Sequence, residues 1–384
     1  MILSARWHHD HSADGQASTT TQIPHFAFAI SSHLVSGNIA AVPIPKNTVK
    51  RPRRGTGDTT LADVAKLAGV SAITASRALK TPDRVAPETL TRIQDAVSRT
   101  GYVRNLMAGG LASNRSGLVA ALVPTIAGSV FLDTVQALTD AFDEAGCQLI
   151  LGQTGYGGFR EDALIDAIVG RRPDGIVLTG IMHSTDGRRR LLASGIPVVE
   201  TWDLTPTPID MLVGFSHERV GMEVADFLYA KGYRRPAIVT ADDYRAGLRR
   251  SGFEHRMRAL GIASVPLCEV SAPTTLRDGR EGLAQLLTAG QKIDAVFCSS
   301  DVLAHGVITE AHARGLDVPR DIAVVGFGDL AFAPYIHPAL TTVDIDGAAI
   351  GRQAARFILD RIEGRDVGER VRDIGFAIVE RESA

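Results

Sequence analysis

From residue 117 onward the chain alternates between short, continuously apolar runs and longer stretches with apolar residues at three- and four-residue spacing. The short runs at 118–123, 147–152, 174–180, 196–200, 236–240, 294–300 and 322–328 read as strands buried on both faces. The patterns at 131–145, 161–169, 218–231, 244–260 and 303–314 read as amphipathic helices. Strands of this kind separated by helices predict parallel sheets, and their number exceeds one small sheet. Two doubly wound α/β subdomains are expected. The texture before residue 117 is different. Between residues 58 and 103 the pattern is helical only: Leu61, Val64, Ala65 and Ala68 share a face, Gly69 breaks the helix, Val70 can plug a core, and Ser71 can cap a second helix. A third helix opens at Pro87 and Glu88, carries the stripe Leu90, Ile93, Ala96 and Val97, and stops at Gly101.

Helix, tight glycine-containing turn and a second helix with Thr74, Ser76 and Arg77 outward is the pattern of a helix-turn-helix. An αα-hairpin with no nucleic-acid role would share its apolar spacing. Behind it, Asn105 to Asn114 reads as a weak helix candidate, with Gly109 and Gly110 each costing about 1 kcal/mol relative to alanine. Such a segment folds only against a partner, as an order–disorder switch would. In doubly wound sheets ligands sit beyond the carboxyl ends of strands, so Thr125, Gly155, His183, Asp203, Asp242, Asp301 and Asp329 become candidates. A residue at such a position is more often a cap or a loop residue than a ligand.

Composition sharpens this picture in a few places. The 384 residues carry a net charge of −2, but residues 46–115 hold thirteen Lys/Arg against five Asp/Glu, leaving about −9 on residues 116–384. A basic segment on an acidic body is the footprint of a DNA-binding module joined to a sensor, although a cationic linker gives the same sum. Cys147, Cys268 and Cys298 lie far apart without ligand spacing and read as reduced, buried residues of a cytoplasmic protein. No stretch of about 18 apolar residues is present. Residues 1–57 lack the basic-then-apolar order of a signal peptide and read as a disordered extension, or as upstream sequence brought in by a misassigned start. The KRPRR run at 50–54 reads as a solvated basic tail or a DNA-grazing arm.

The block TLADVAKLAGVSAITASRAL, followed by RVAPETLTRIQDAV, GYVRN, the degenerate short helix and the two-lobed body, resembles the LacI family of bacterial transcription regulators over residues 59–382. VPTIAGSVF, TGY, RPDGIVLTG, IPVVETWD, VGF, FCSSD and DIAVVGFGD are similar to the gluconate-operon repressors within that family. The resemblance implies an all-α helix-turn-helix domain at 58–103 and a hinge helix and linker at 104–116. It also implies a periplasmic-binding-protein-like α/β sensor at 117–384. Its lobes would comprise about 117–213 with 345–372, and about 214–343 with 373–384.

The resemblance further implies that Ala72, Ile73 and Arg77 face the bases. Arg77 suits guanine O6/N7, while Ala72 and Ile73 can only touch a thymine methyl or exclude other bases. Thr60, Ser71, Thr74, Ser76, Thr89, Tyr102 and Asn105 fall at phosphate-contacting positions, and Leu111 at the leucine wedged into the minor groove. In the body it implies that Arg249 of GLRRSGF reaches ligand oxygens and that Phe131 packs on the ligand. Ser300 and Asp301 stand where relatives have Asn-Asp. Thr125, His183 and Arg277 are further effector candidates. Gly328 replaces an acid common in sugar-binding relatives and Gly347 an aromatic, leaving a cleft expected to be positive beside Arg249 and suited to a sugar acid such as gluconate, or a phosphorylated sugar.

The expected function is therefore an effector-responsive regulator, most simply a repressor. It would act as a homodimer on a double-stranded palindromic operator in the cytoplasm, at the nucleoid, without a cofactor. No leucine-heptad tail follows the body to suggest a tetramer. The alternative is a ligand-binding protein of the periplasmic type without a gene-regulatory role. An enzyme is not expected: there is no GxGxxG after a strand, no GxxxxGK[ST], no GxSxG and no metal-ligand spacing.

Overall fold

The structure is a computed structural model, and it describes residues 59–103, 115–126, 129–156, 161–182 and 184–384. The expectations for residues 1–57, for most of the 104–116 hinge, and for Asn105, Leu111 and His183 lie outside the described residues.

Helices α1 (Leu61–Ala68), α2 (Ala72–Lys80) and α3 (Pro87–Thr100) form the small helical domain. Val64, Ala68, Ala78, Ile93 and Ala96 make its core, with Val70, Leu90, Val97 and Tyr102 packed on the margin. The turn between α1 and α2 follows from two residues. Gly69 takes a left-handed φ of 66°, and the Ser71 hydroxyl accepts from Thr74 N at 3.1 Å to cap α2. Gly101, at φ 63°, ends α3 in the same left-handed manner.

In the body, strands β1 (Leu118–Val123), β2 (Gln148–Gln153), β3 (Gly175–Thr179), β4 (Val198–Thr201), β5 (Met211–Gly214) and, near the C-terminus, β11 (Val371–Asp373) form one sheet in the order β11-β5-β4-β3-β1-β2. Every pairing in it is parallel. Period-two alternation sends Val119, Ala121 and Val177 to one face and Ala120, Leu122, Ile176 and Leu178 to the other. Helices α4 (Leu132–Glu144) and α11 (Gly347–Ile362) cover the first face. Helices α5 (Glu161–Val169) and α6 (Thr185–Ser194) cover the second.

A second, all-parallel sheet has the order β7-β6-β8-β9, from β6 (Pro236–Ala241), β7 (Leu267–Val270), β8 (Ala295–Cys298) and β9 (Ala323–Val325). Paired helices α7 (His217–Ala230) and α8 (Tyr244–Ala259) back one face, and α9 (Leu276–Thr288) and α10 (Asp301–Ala313) the other. The α/β two-lobed architecture with parallel sheets is as expected from sequence. An antiparallel pair, β10 (Thr342–Asp344) with β12 (Ala377–Val379), is an addition to it. The chain passes between the lobes after β5, between β10 and α11, and between β11 and β12. One apolar cluster therefore runs through both lobes, from Phe142 and Phe357 to Phe215, Phe253 and Phe297. All three cysteines are free thiols, with Cys268 and Cys298 buried.

Candidate functional site

The helical domain presents one built face. Because Ala75 and Ala78 turn α2 into the core, Ala72, Ile73, Ser76, Arg77 and Lys80 are left outward around a shallow depression. Ile73 is 72% exposed, which makes it an apolar side chain with no intramolecular role. Ser71 and Thr74 share a 2.9 Å hydroxyl–hydroxyl bond at the start of the helix, so one hydroxyl proton there remains able to reach outward. Thr60 is exposed ahead of α1. Thr89 is half-buried in the first turn of α3, its hydroxyl accepting from Arg92 at 3.4 Å, and Tyr102 is half-buried against the helical core.

Between the lobes lies a cavity of about 290 Å³. Of the sequence candidates, Thr125, Phe131, Arg249 and Ser300 line it. Asp301 and Arg277 do not. Asp301 is turned inward, its carboxylate accepting from Thr342 Oγ1 at 2.5 Å and from Leu330 N at 2.7 Å, and burial raises its pKa to about 6. It ties α10 to the loop after β9. Arg277 is exposed in the first turn of α9. Of the strand-end positions, Asp242 accepts from Ala272 N and Asp329 is paired with Arg381, so both are structural ties.

Arg249, 5% exposed, is the centre of the cavity wall. Its Nη1 donates to His217 Nδ1 at 2.9 Å, and its Nη2 to Ser299 O at 3.0 Å. The guanidinium carbon sits 3.9 Å from the Phe327 ring centre, and Nε has no partner. Since Nδ1 must accept, His217 is the neutral Nε2–H tautomer and donates to Trp202 O at 2.9 Å. Burial first, then the Arg249 charge, pushes the His217 pKa well below 6.5. Burial likewise lowers Arg249, to about 10, which still leaves it charged at neutral pH.

Trp202 closes the opposite wall. Its Nε1 donates to Thr134 Oγ1 at 3.0 Å, Phe131 meets it edge-on at 5.1 Å, and its backbone takes a left-handed φ of 65°. The residues that sequence reasoning missed include Tyr156, Trp202, His217, Asp243, Arg245, Ser299 and Phe327. The cleft expected to be positive beside Arg249 carries a second cation, Arg245, and also an acid. Asp243 lines it, although its Oδ1 is engaged by Arg245 N and Ala246 N as the cap of α8.

A helical domain with an outward polar-faced second helix, on the same chain as a two-lobed body enclosing an aromatic-walled cavity with a buried arginine, defines a DNA-binding transcriptional regulator with a sensor. Comparison with known proteins agrees. The profile described as "Bacterial regulatory proteins, lacI family" matches residues 60–105, and "Periplasmic binding protein-like domain" matches 225–384. The HTH-type transcriptional regulator GntR of Pseudomonas aeruginosa is 39% identical over 333 residues, 86% of this chain and 97% of that protein. The HTH-type transcriptional repressor CytR of Escherichia coli is 28% identical over 311 residues, 80% of this chain and 91% of that protein. The crystal structure of a LacI-family transcriptional regulator from Silicibacter pomeroyi superposes with a TM-score of 0.80 at 32% identity, covering 85% of this chain and 99% of that one.

The chain belongs to the LacI family of bacterial transcriptional regulators. That membership makes it a regulator and not an enzyme, and it displaces the reading of a ligand-binding protein without a regulatory role.

Proposed function

We propose that this chain represses a carbohydrate or sugar-acid catabolic operon from a palindromic operator. It would act as a homodimer and be released when an anionic effector such as gluconate binds between the lobes. The observation that carries the effector class is Arg249. A buried, charged guanidinium oriented from two sides, with an unpartnered Nε, stands on a cavity walled by Phe131, Tyr156 and Trp202. The fork suits a carboxylate, and the aromatic faces suit the C–H face of a sugar chain. On the DNA side, Arg77 would read guanine and Ile73 a thymine methyl, with Ser71, Thr74 and Ser76 on phosphates. The protein would work in the cytoplasm, where operator DNA is. Effector binding between the lobes shifts their closure only if the two closure states bind it differently, and the resulting coupling to DNA affinity is typically about 1–3 kcal/mol.

The test is fluorescence anisotropy of the full chain on labelled promoter DNA carrying an inverted repeat, with and without gluconate. Sequence-dependent binding that gluconate weakens is the expected result. Binding that ignores gluconate overturns the effector assignment, and absence of specific binding overturns the operator role.

A further inference from the structure

Beside the main cavity lies a second compartment of about 220 Å³, and Tyr156, Asp243 and Arg245 line both. Its walls come from strand ends of the first lobe, at Pro124, Gly155, Gly180 and Asp203, and from the start of α8 in the second lobe. Two of its side chains hold orphaned polar atoms. Asp203 is 3% exposed; its Oδ1 accepts from Leu204 N at 2.8 Å, while Oδ2 has no partner. Arg245 reaches across from the second lobe. Its guanidinium lies 5.1 Å from the Phe131 ring centre and its Nη1 stands against Gly180, also without a hydrogen-bond partner. An unmade hydrogen bond to a buried charged group is costly, and here two such groups face one compartment from opposite lobes.

Asp203 Oδ2 needs a donor and Arg245 Nη1 needs an acceptor. A hydroxyl is both. A carboxylate or phosphate placed here would meet Asp203, Asp243 and Glu161, against Arg245 as the one cation among the described lining residues. An ammonium would meet Arg245.

We infer that the second compartment receives the hydroxylated end of a polyhydroxy acid, one hydroxyl bridging Asp203 of the first lobe to Arg245 of the second. This rests on the sugar-acid reading and narrows it: the carboxylate lies at Arg249 and the far end is uncharged, so the effector is an unphosphorylated aldonic-type acid. A hydroxyl held from both lobes is bound best when the lobes are closed, which supplies the differential affinity that a conformational shift requires.

The experiment is calorimetric titration of the full chain with four probes: glycerate, gluconate, 6-phosphogluconate and glucitol. Gluconate should bind at least about tenfold more tightly than either glycerate or 6-phosphogluconate, as expected for a gained or disrupted hydrogen bond to charged groups. Asp203→Asn should weaken gluconate by about tenfold and leave glycerate within about twofold. The wild-type series needs no variant, so the inference stays testable even if Asp203→Asn misfolds.

Equal affinity for glycerate and gluconate, tighter binding of 6-phosphogluconate, or equal weakening of both acids by Asp203→Asn overturns the inference while leaving the sugar-acid reading in place. Glucitol binding more tightly than gluconate, and weakened by Asp203→Asn, supports the compartment and overturns the requirement for an acid. Failure of all four probes to bind overturns both.

Discussion

Arg249 and His217 are locked to each other across 2.9 Å, and the bond fixes more than the two side chains. With Nδ1 accepting from Arg249, the imidazole must donate from Nε2 to Trp202 O, and Trp202 in turn donates to Thr134, whose hydroxyl donates to Gly347 O at 2.7 Å. A continuous relay therefore runs from Ser299 at the end of β8, through Arg249, into α4 and the start of α11 in the other lobe. A ligand that pulls on Arg249 acts on the packing of both lobes at once.

His217 gives that relay a pH signature. It is neutral and buried in the folded protein, while its unfolded-state pKa is near 6.5. Below pH 6.5 the unfolded chain binds a proton that the folded one refuses, so this group removes stability as pH falls. His217→Gln should destabilise the protein at pH 7 by about 1–3 kcal/mol through the disturbed Arg249 contact. The gap from wild type should narrow between pH 7 and pH 5, because the variant lacks the titration. Urea denaturation at the two pH values measures it, and a constant gap would show that His217 is not the titrating group.

Asp203 has the opposite sign. Burial raises its pKa from 3.8 to about 6 despite Arg245, Arg249 and the Leu204 amide. Between those values the folded state holds a proton that the unfolded state has released, so stability falls as pH rises through 6. The displacement corresponds to about 3 kcal/mol at pH 7 and above. Asp203→Asn should accordingly be more stable relative to wild type at pH 8 than at pH 4, by an amount of that order. A pH-independent difference would show that the carboxyl ionises as freely in the fold as in solution.

The position of Arg249 depends on a glycine. Helices α7 and α8 cross so closely that a Cβ on Gly221 would lie 2.0 Å from Arg249 O, and one on Gly252 would lie 2.1 Å from Glu218 O. Gly221→Ala must push α8 away from α7, an overpacking expected to cost about 1–3 kcal/mol or more. It should also withdraw Arg249 from His217. We expect the effector to lose affinity at least about tenfold in Gly221→Ala while operator affinity without effector is kept. Effector binding at wild-type strength would separate the helix crossing from the site.

Most of the fold was legible because buried parallel strands are apolar throughout and so stand out from their helices. Thr125, Phe131, Arg249 and Ser300 were legible too, Thr125 from its strand end and the other three from the family resemblance. The rest of the cavity was not, and the reason is geometric. Strand ends point at the cleft, but the side chains that line it often come from a residue or two to either side: Asp243 and not Asp242, and Ser299 and not Asp301. Arg245 is one turn before Arg249 on the same helix face, a spacing that could have suggested it. His217 gave no signal, since HERVGMEVADFLYA reads as an ordinary amphipathic helix. Strands β5, β7 and β10 to β12, of three or four residues each, were not among the strands read from the sequence.

The proposed DNA-reading face separates from all of this by two substitutions, one on α2 and one at its N-cap. Arg77 is exposed, so Arg77→Ala should leave thermal stability and effector affinity unchanged while lowering affinity for the operator by about 1–3 kcal/mol and relaxing sequence preference at one base pair. Ser71→Ala removes the cap that satisfies Thr74 N and should cost about 1 kcal/mol of stability. Its loss of DNA affinity should be uniform across sequences, because a phosphate contact sets register and not base choice. Anisotropy titrations against the operator and a set of single-base variants, at one fixed salt concentration, measure both effects. A uniform loss for Arg77→Ala, or a base-selective loss for Ser71→Ala, would reverse the assignment of which residue reads the sequence.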